Sequence, residues 1–225
     1  MELNTIEKFL LLAQHPIKGR FVISDMHINY GIVGAALMEM SINDQIKIEN
    51  NKLILNSTKK SDDPIISDIS TIIKNSRKIR KISYWITKLA RKSRKYRLIV
   101  LTDLEKKRCI RIEHRKFLGL FSYKKTYLID RRTRDNLIRT LRNNISIARE
   151  LNDDDMVVLG LVEACKMHRI ITTDRAELKR IRKELKQVLK ESPIASTVDV
   201  TIKQMQAAIV GAIIASTVVT TSTSS

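Results

Sequence analysis

Apolar residues recur along this chain mostly at helical spacing, and the two places where they alternate instead stand out. Asn4 with Glu7 three residues on has the form of a reciprocal helix cap, after which Ile6, Phe9, Leu10 and Ala13 fall on one face. Pro16 closes that helix. A second helix is expected to begin near residues 26–30 and to run through GIVGAALMEM, where Gly31, Gly34, Ala35 and Ala36 offer a small-residue face for close packing; the segment reads as buried. Asp62-Asp63-Pro64 is a helix start, followed by Ile65, Ile66, Ile69, Ile72 and Ile73 at core-facing spacing. Two further helical stretches over 83–107 carry Trp85, Ile86 and Leu89, then Tyr96, Ile99, Val100 and Leu104. The rest reads as helices over 133–147, 154–168, 174–191 and 198–219, with a polar tail at 220–225.

The first alternating stretch, QIKIENNKLIL, sets Ile46 and Ile48 against Leu53 and Leu55 around Asn50-Asn51, a turn that accepts positive φ. In the second, CIRIEHRK and SYKKTYLI form the arms, with Phe117, Leu118, Gly119, Leu120 and Phe121 between them. Ile110 and Ile112 alternate with Arg111 and Glu113, so one face can rest on the body while the tip projects. The expected architecture is mainly α: a single compact helical domain over 1–219 with two β-hairpins, the second ending in an apolar tip.

Charge changes this picture more than composition does. The 42 Lys and Arg outnumber the 24 Asp and Glu, for a net charge of +18, and the balance points to a polyanionic partner, either nucleic acid or an anionic membrane surface. Between Lys74 and Lys116 there are 17 basic residues against three acids, Asp103, Glu105 and Glu113, so most of the excess sits in one fifth of the chain. Two cysteines 56 residues apart make no disulfide framework, and MELNTIE lacks the features of a signal peptide, so a reduced, cytoplasmic setting is expected. The longest apolar stretch, 207–219, is 13 residues and includes Ser216 and Thr217, short of the roughly 20 residues a bilayer crossing needs.

No nucleophile with a base, no paired carboxylates and no glycine-rich nucleotide loop occur at diagnostic spacing, so neither catalysis nor a cofactor is expected. Cys165 and His168 form a lone half-site, read as a buried thiol and a surface imidazole rather than metal ligands, and Asp153-Asp154-Asp155 reads as a helix N-terminus. The basic run and the apolar tip lie side by side. Cations near an anionic leaflet contribute on the order of 1 kcal/mol each, and burial of a Phe or Leu roughly 1.5–3 kcal/mol. Together the two terms anchor a peripheral protein, where either alone would not. The tip therefore reads as a membrane wedge, the alternative being that its four apolar side chains fold onto the body or a second subunit.

At these residues the sequence resembles the Golgi phosphoprotein 3 family, peripheral membrane proteins of mostly helical fold that recognise phosphatidylinositol 4-phosphate. The similarity runs in order through IEKFLLLAQHPIKGRF, YGIVGAALMEMSINDQIKIE, DPIISDISTIIKNSRKIRKISYWITKL and RKSRKYRLIVLTDLEKKRCIRIEHRKFLGLF. It implies a lipid-phosphate pocket in which the family's two arginines, three apart on a helix, match Arg94 and Arg97; an i, i+3 pair can offer guanidinium donors to one phosphate. The family's pocket tryptophan and a further arginine fall on Ser24 and Val33, where this sequence departs from the pattern. The loss of a ring and a cation leaves phosphate or general anionic-lipid binding as the expectation, with Arg91 and Arg20 as replacement cations. The resemblance further implies that the hairpin 113–124 serves membrane insertion and homo-oligomer formation. The chain begins almost at its first helix, so the family's basic N-terminal extension and its coat-linking role are not carried over; the form is similar to compact bacterial or minimal members, and the sequence names no protein client.

A second reading competes with this one. A basic helical stretch, 91–107, that precedes a two-stranded hairpin also resembles a winged-helix nucleic-acid binder, with Arg94, Lys95 and Arg97 on phosphates. Its wing tip should then be polar or basic, and here it is apolar.

Overall fold

A computed structural model of the chain describes residues 2–57, 61–117, 121–147, 152–191 and 200–210. Helix α1, Thr5–Ala13, begins at the reciprocal cap: the Asn4 side chain accepts from the Glu7 amide at 2.8 Å, and the Glu7 carboxylate accepts from the Asn4 amide at 2.9 Å. Helix α2, Asp25–Ile42, is capped by Ser24. The strands β1, Ile46–Glu49, and β2, Lys52–Leu55, pair with Ile46 opposite Leu55 and Ile48 opposite Leu53, and Asn50 and Asn51 supply the positive φ angles of the turn, 49° and 60°. Helix α3, Pro64–Lys74, starts from Asp63, whose carboxylate accepts from the amides of Ile65 and Ile66.

A third strand that the pattern did not announce, β3, Arg80–Lys81, pairs antiparallel with β2, so the first hairpin is the larger part of a three-stranded sheet in the order β1-β2-β3. Two residues carry no readable alternation. Helices α4, Ile82–Ala90, and α5, Ser93–Lys106, lead into the second hairpin, β4, Ile110–Phe117, and β5, Phe121–Leu128, which pair from Ile110 opposite Leu128 out to Phe117 opposite Phe121. The tip itself, with Leu118 and Leu120, lies outside the described residues, as do the side chains of Phe117 and Phe121.

Then follow α6, Arg131–Ile147; α7, Asp153–Ala164; a 3-10 turn, His168–Ile170; α8, Arg175–Glu191; and α9, residues 200–210. The stretch 211–219, expected to continue the last helix, and the tail 220–225 lie outside the described residues. Helix α7 stops short of the expected His168. Lys166 turns left-handed at φ 55°, and the amides of Lys166 and Met167 close back on the carbonyls of Glu163 and Val162. Arg108 ends α5 and Asp44 ends α2 with the same geometry, without the glycine that ordinarily marks such a stop.

Helix α2 is apolar on all sides and is accordingly central, packed by α1, α4, α5 and α7. Two of its glycines set the contact distances: a Cβ on Gly31 would lie 2.1 Å from the Phe9 ring, and one on Gly34 2.0 Å from the Met205 sulfur. One hydrophobic cluster runs from Leu3 to Ile209. The fold is mainly α with two small antiparallel sheets. No helix among the described residues is long and apolar enough to cross a membrane.

Candidate anion-binding cleft beside the second hairpin

A cleft of about 760 Å³ opens where the loop after α1, the exposed side of α5 and the second hairpin meet. The loop contributes Gly19, Arg20, Phe21 and Ile23, and the first turn of α2 contributes Asp25. From α5 come Arg94, Arg97, Leu98 and Leu101, one helical face whose opposite side, through Tyr96, Val100 and Leu104, is buried. The hairpin supplies the third wall, with His114 directly opposite Lys124 in the strand register and Ser122 and Thr126 on the same face of β5. Four cations, Arg20, Arg94, Arg97 and Lys124, thus meet one carboxylate, Asp25, which accepts from Arg97 Nη1 at 2.6 Å. Guanidinium forks of this kind suit the planar oxygen geometry of phosphates and carboxylates.

The wall is held by buried polar contacts. Gln14, which follows α1, is 1% exposed; its amide nitrogen donates to the carbonyls of Thr126 and Arg20, and its oxygen accepts from Thr126 Oγ1 at 2.9 Å. Backbone pairing of Gln14 with Phe21 folds the loop back on itself. Gly19 lets that loop approach β5, since a Cβ there would lie 2.7 Å from the Tyr127 ring. On the other side Glu105 of α5 accepts from the Ile112 amide at 2.7 Å, which seats β4. Nearer the tip, Arg115 and Arg111 both donate to Glu113 and hold its carboxyl below the usual range, the Arg115 hydrogen bonds being the larger cause.

Of the residues singled out from sequence, Arg94, Arg97 and Arg20 share this cleft, together with the base of the hairpin. Arg91 does not. It closes α4, on the stripe of Tyr84, Thr87 and Lys88, and lines a different cleft, because the helix breaks between Ala90 and Ser93 and the i, i+3 spacing to Arg94 no longer means a shared face. Ser24 caps α2, its hydroxyl 2.8 Å from His27 Nδ1. Val33 is wholly buried, so the position matched to a family arginine belongs to the core here.

The basic run is divided by packing. Lys92 and Lys95 surround Asp68, where burial opposes ionisation but hydrogen bonds from the buried Tyr96 and from Lys92, with both lysine charges, outweigh it and lower the pKa. Lys107 reaches the buried Glu7 at 2.6 Å. Asp25 and Lys124, which sequence reasoning passed over, belong to the cleft by tertiary contact. Cys165 is buried as expected, its thiol 3.6 Å from the His27 carbonyl, whereas His168, expected at the surface, is also buried, with Nε2 2.7 Å from Glu163. Asp154, at the start of α7, takes Lys8 and Thr5.

The chain is, as a class, a mainly helical domain with a cation-lined cleft at the base of a two-stranded hairpin. The family model described as Golgi phosphoprotein 3 (GPP34) matches residues 6–212. The chain belongs to the Golgi phosphoprotein 3 family. No curated protein matches it.

Proposed function

We propose that the chain is a non-catalytic peripheral membrane protein that takes a phosphorylated lipid headgroup, of the phosphatidylinositol 4-phosphate kind, into the hairpin cleft while the apolar tip enters the bilayer. The observation that carries the reading is the convergence of Arg20, Arg94, Arg97 and Lys124 in one cleft whose third wall is the arm bearing that tip. Arg97 and Arg94 hold the phosphate, Lys124 adds charge from the hairpin, and Gln14 keeps the arm in register with the loop that carries Arg20. With Ser24 and Val33 in place of a ring and a cation, headgroup selectivity rests on these four residues and is broader than in the family at large. Placement on a cytoplasmic membrane face, and pairing of copies through the hairpin, follow from the same reading.

Co-sedimentation tests it. Binding is expected to phosphatidylcholine vesicles that contain phosphatidylinositol 4-phosphate or phosphatidylserine, and not to phosphatidylcholine alone. Arg94→Ala with Arg97→Ala, or Phe117→Ser with Phe121→Ser, should each weaken it at least tenfold. Full vesicle binding by either double variant overturns the reading, and tight duplex DNA binding without vesicle binding favours the nucleic-acid alternative.

A further inference from the structure

On the outer side of α4 the structure holds a second cation-lined cleft that neither the family match nor the hairpin reading uses. Lys88 and Arg91 reach it from α4, Arg80 and Lys81 from β3, and Lys52 from β2. All five are exposed, and none makes an ion pair with a carboxylate among the described residues. Much of the neighbouring basic run is treated differently: Lys92 and Lys95 have Asp68, Arg97 has Asp25, Lys107 has Glu7, and Arg111 and Arg115 share Glu113. Among the described residues no acid lines the α4 cleft.

The strand register sharpens the point. Lys52 and Lys81 stand directly opposite each other on β2 and β3, a like-charge pairing that costs a sheet stability unless an anion sits between them. The cations are also oriented. The Arg80 guanidinium lies 5.1 Å over the Tyr84 ring, and Lys88 Nζ lies 5.5 Å from that ring and 5.2 Å from the Trp85 ring, while the two rings meet edge to face at 5.3 Å. Stacking of this kind fixes where the donors point before any ligand arrives. Ser83 and Thr87 add hydroxyls to the lining, and the exposed Ile79 and Tyr84 provide an apolar wall.

We infer that this cleft is a second anion site, for a ligand carrying two or more phosphate groups, which Arg80, Lys88 and Arg91 grip from one side and Lys52 and Lys81 from the other. A multiply phosphorylated lipid headgroup and a free polyphosphate present the same chemistry to it. The site is independent of the hairpin cleft, with which it shares no lining residue.

The test uses the full chain and two probes: inorganic tripolyphosphate in solution, followed by calorimetry and thermal shift, and phosphatidylcholine vesicles containing phosphatidylinositol 4,5-bisphosphate. Three variants are compared, Arg80→Ala with Lys88→Ala at this cleft, Arg94→Ala with Arg97→Ala at the hairpin cleft, and Arg139→Ala with Lys183→Ala, exposed cations that line neither. The α4 variant is expected to lose at least tenfold in affinity for one or both probes, with the Arg139/Lys183 variant within twofold of the parent. Loss with tripolyphosphate alone identifies a soluble ligand, and loss with vesicles alone a headgroup; either supports the site. Arg80, Lys88, Arg139 and Lys183 are all exposed, so the melting temperature without ligand should be unchanged in the α4 and Arg139/Lys183 variants. Equal losses in the α4 and Arg139/Lys183 variants mean a diffuse charge effect and overturn the inference, as does unchanged affinity of the α4 variant for both probes. Failure of the hairpin-cleft variant to lose vesicle binding bears only on the proposed function.

Discussion

Replacing Asp25 by Asn should tighten, not weaken, the binding of phosphorylated headgroups. Among the described residues Asp25 is the one acid of the hairpin cleft, and its carboxylate holds Arg97 at 2.6 Å, so a phosphate that recruits Arg97 must displace it. The aspartate side chain is 77% exposed, which places the pair among surface ion pairs worth roughly 0.2–1 kcal/mol. A carboxylate left beside bound phosphate adds repulsion of about 0.6 kcal/mol per unit charge at a separation near 7 Å in water, reduced by screening at physiological salt. The two contributions come to about 1 kcal/mol, or roughly fivefold in affinity. Co-sedimentation of the parent and Asp25→Asn chains with phosphatidylinositol 4-phosphate vesicles at physiological ionic strength reads that ratio directly. The gain should shrink at high salt and vanish in an Arg94→Ala, Arg97→Ala background. Affinity that is unchanged or lower in a folded Asp25→Asn chain would refute the reasoning, because Arg97 would then not be a ligand held in check by its neighbour.

Three other outcomes follow from buried groups. Gln14→Ala strands the Thr126 hydroxyl and carbonyl in a buried setting, while the Arg20 carbonyl keeps the His15 amide; it should cost about 1–3 kcal/mol in denaturant titration and lower vesicle affinity with every cation intact. Lys107→Ala leaves Glu7, whose side chain is 4% exposed, without its cation; a loss of about 3 kcal/mol is expected in the same measurement. Glu39 is raised to about 7 by burial first and then by the charges of Asp63 and Asp154, while a free glutamate titrates near 4.5. The folded chain therefore holds a proton that the unfolded chain has released, so stability falls as pH rises from 4.5 to 7 and levels off above. Glu39→Gln should remove that fall, about 3 kcal/mol across the window, as read from unfolding curves at several pH values.

Much of the local structure was legible because it depends on neighbours in the chain. The Asn4–Glu7 cap, the Asp63-Pro64 start and the Asn50-Asn51 turn are each settled within four residues, and each forms as the pattern predicts. The alternation of Ile110 and Ile112 with polar residues likewise placed the second hairpin. The end of α7 was not legible, since Lys166 takes the left-handed position where glycine is the usual mark. Nor was β3, which gains its strand character only from β2 beside it.

The candidate site divides along the same line. The family resemblance singled out Arg94 and Arg97, helical period put them on one face, and that face does line the hairpin cleft. What only the tertiary structure decided is which surfaces meet: Asp25 against Arg97, 72 residues apart, Gln14 against Thr126, 112 apart, and Arg91 turned with Lys88 toward a different cleft from its near neighbour Arg94. Val33 went to the core for the same reason. Periodicity says which residues of one element share a side, but the partner of that side is set by close packing among elements distant in the chain, where burial of α2 among four helices outweighs any local preference.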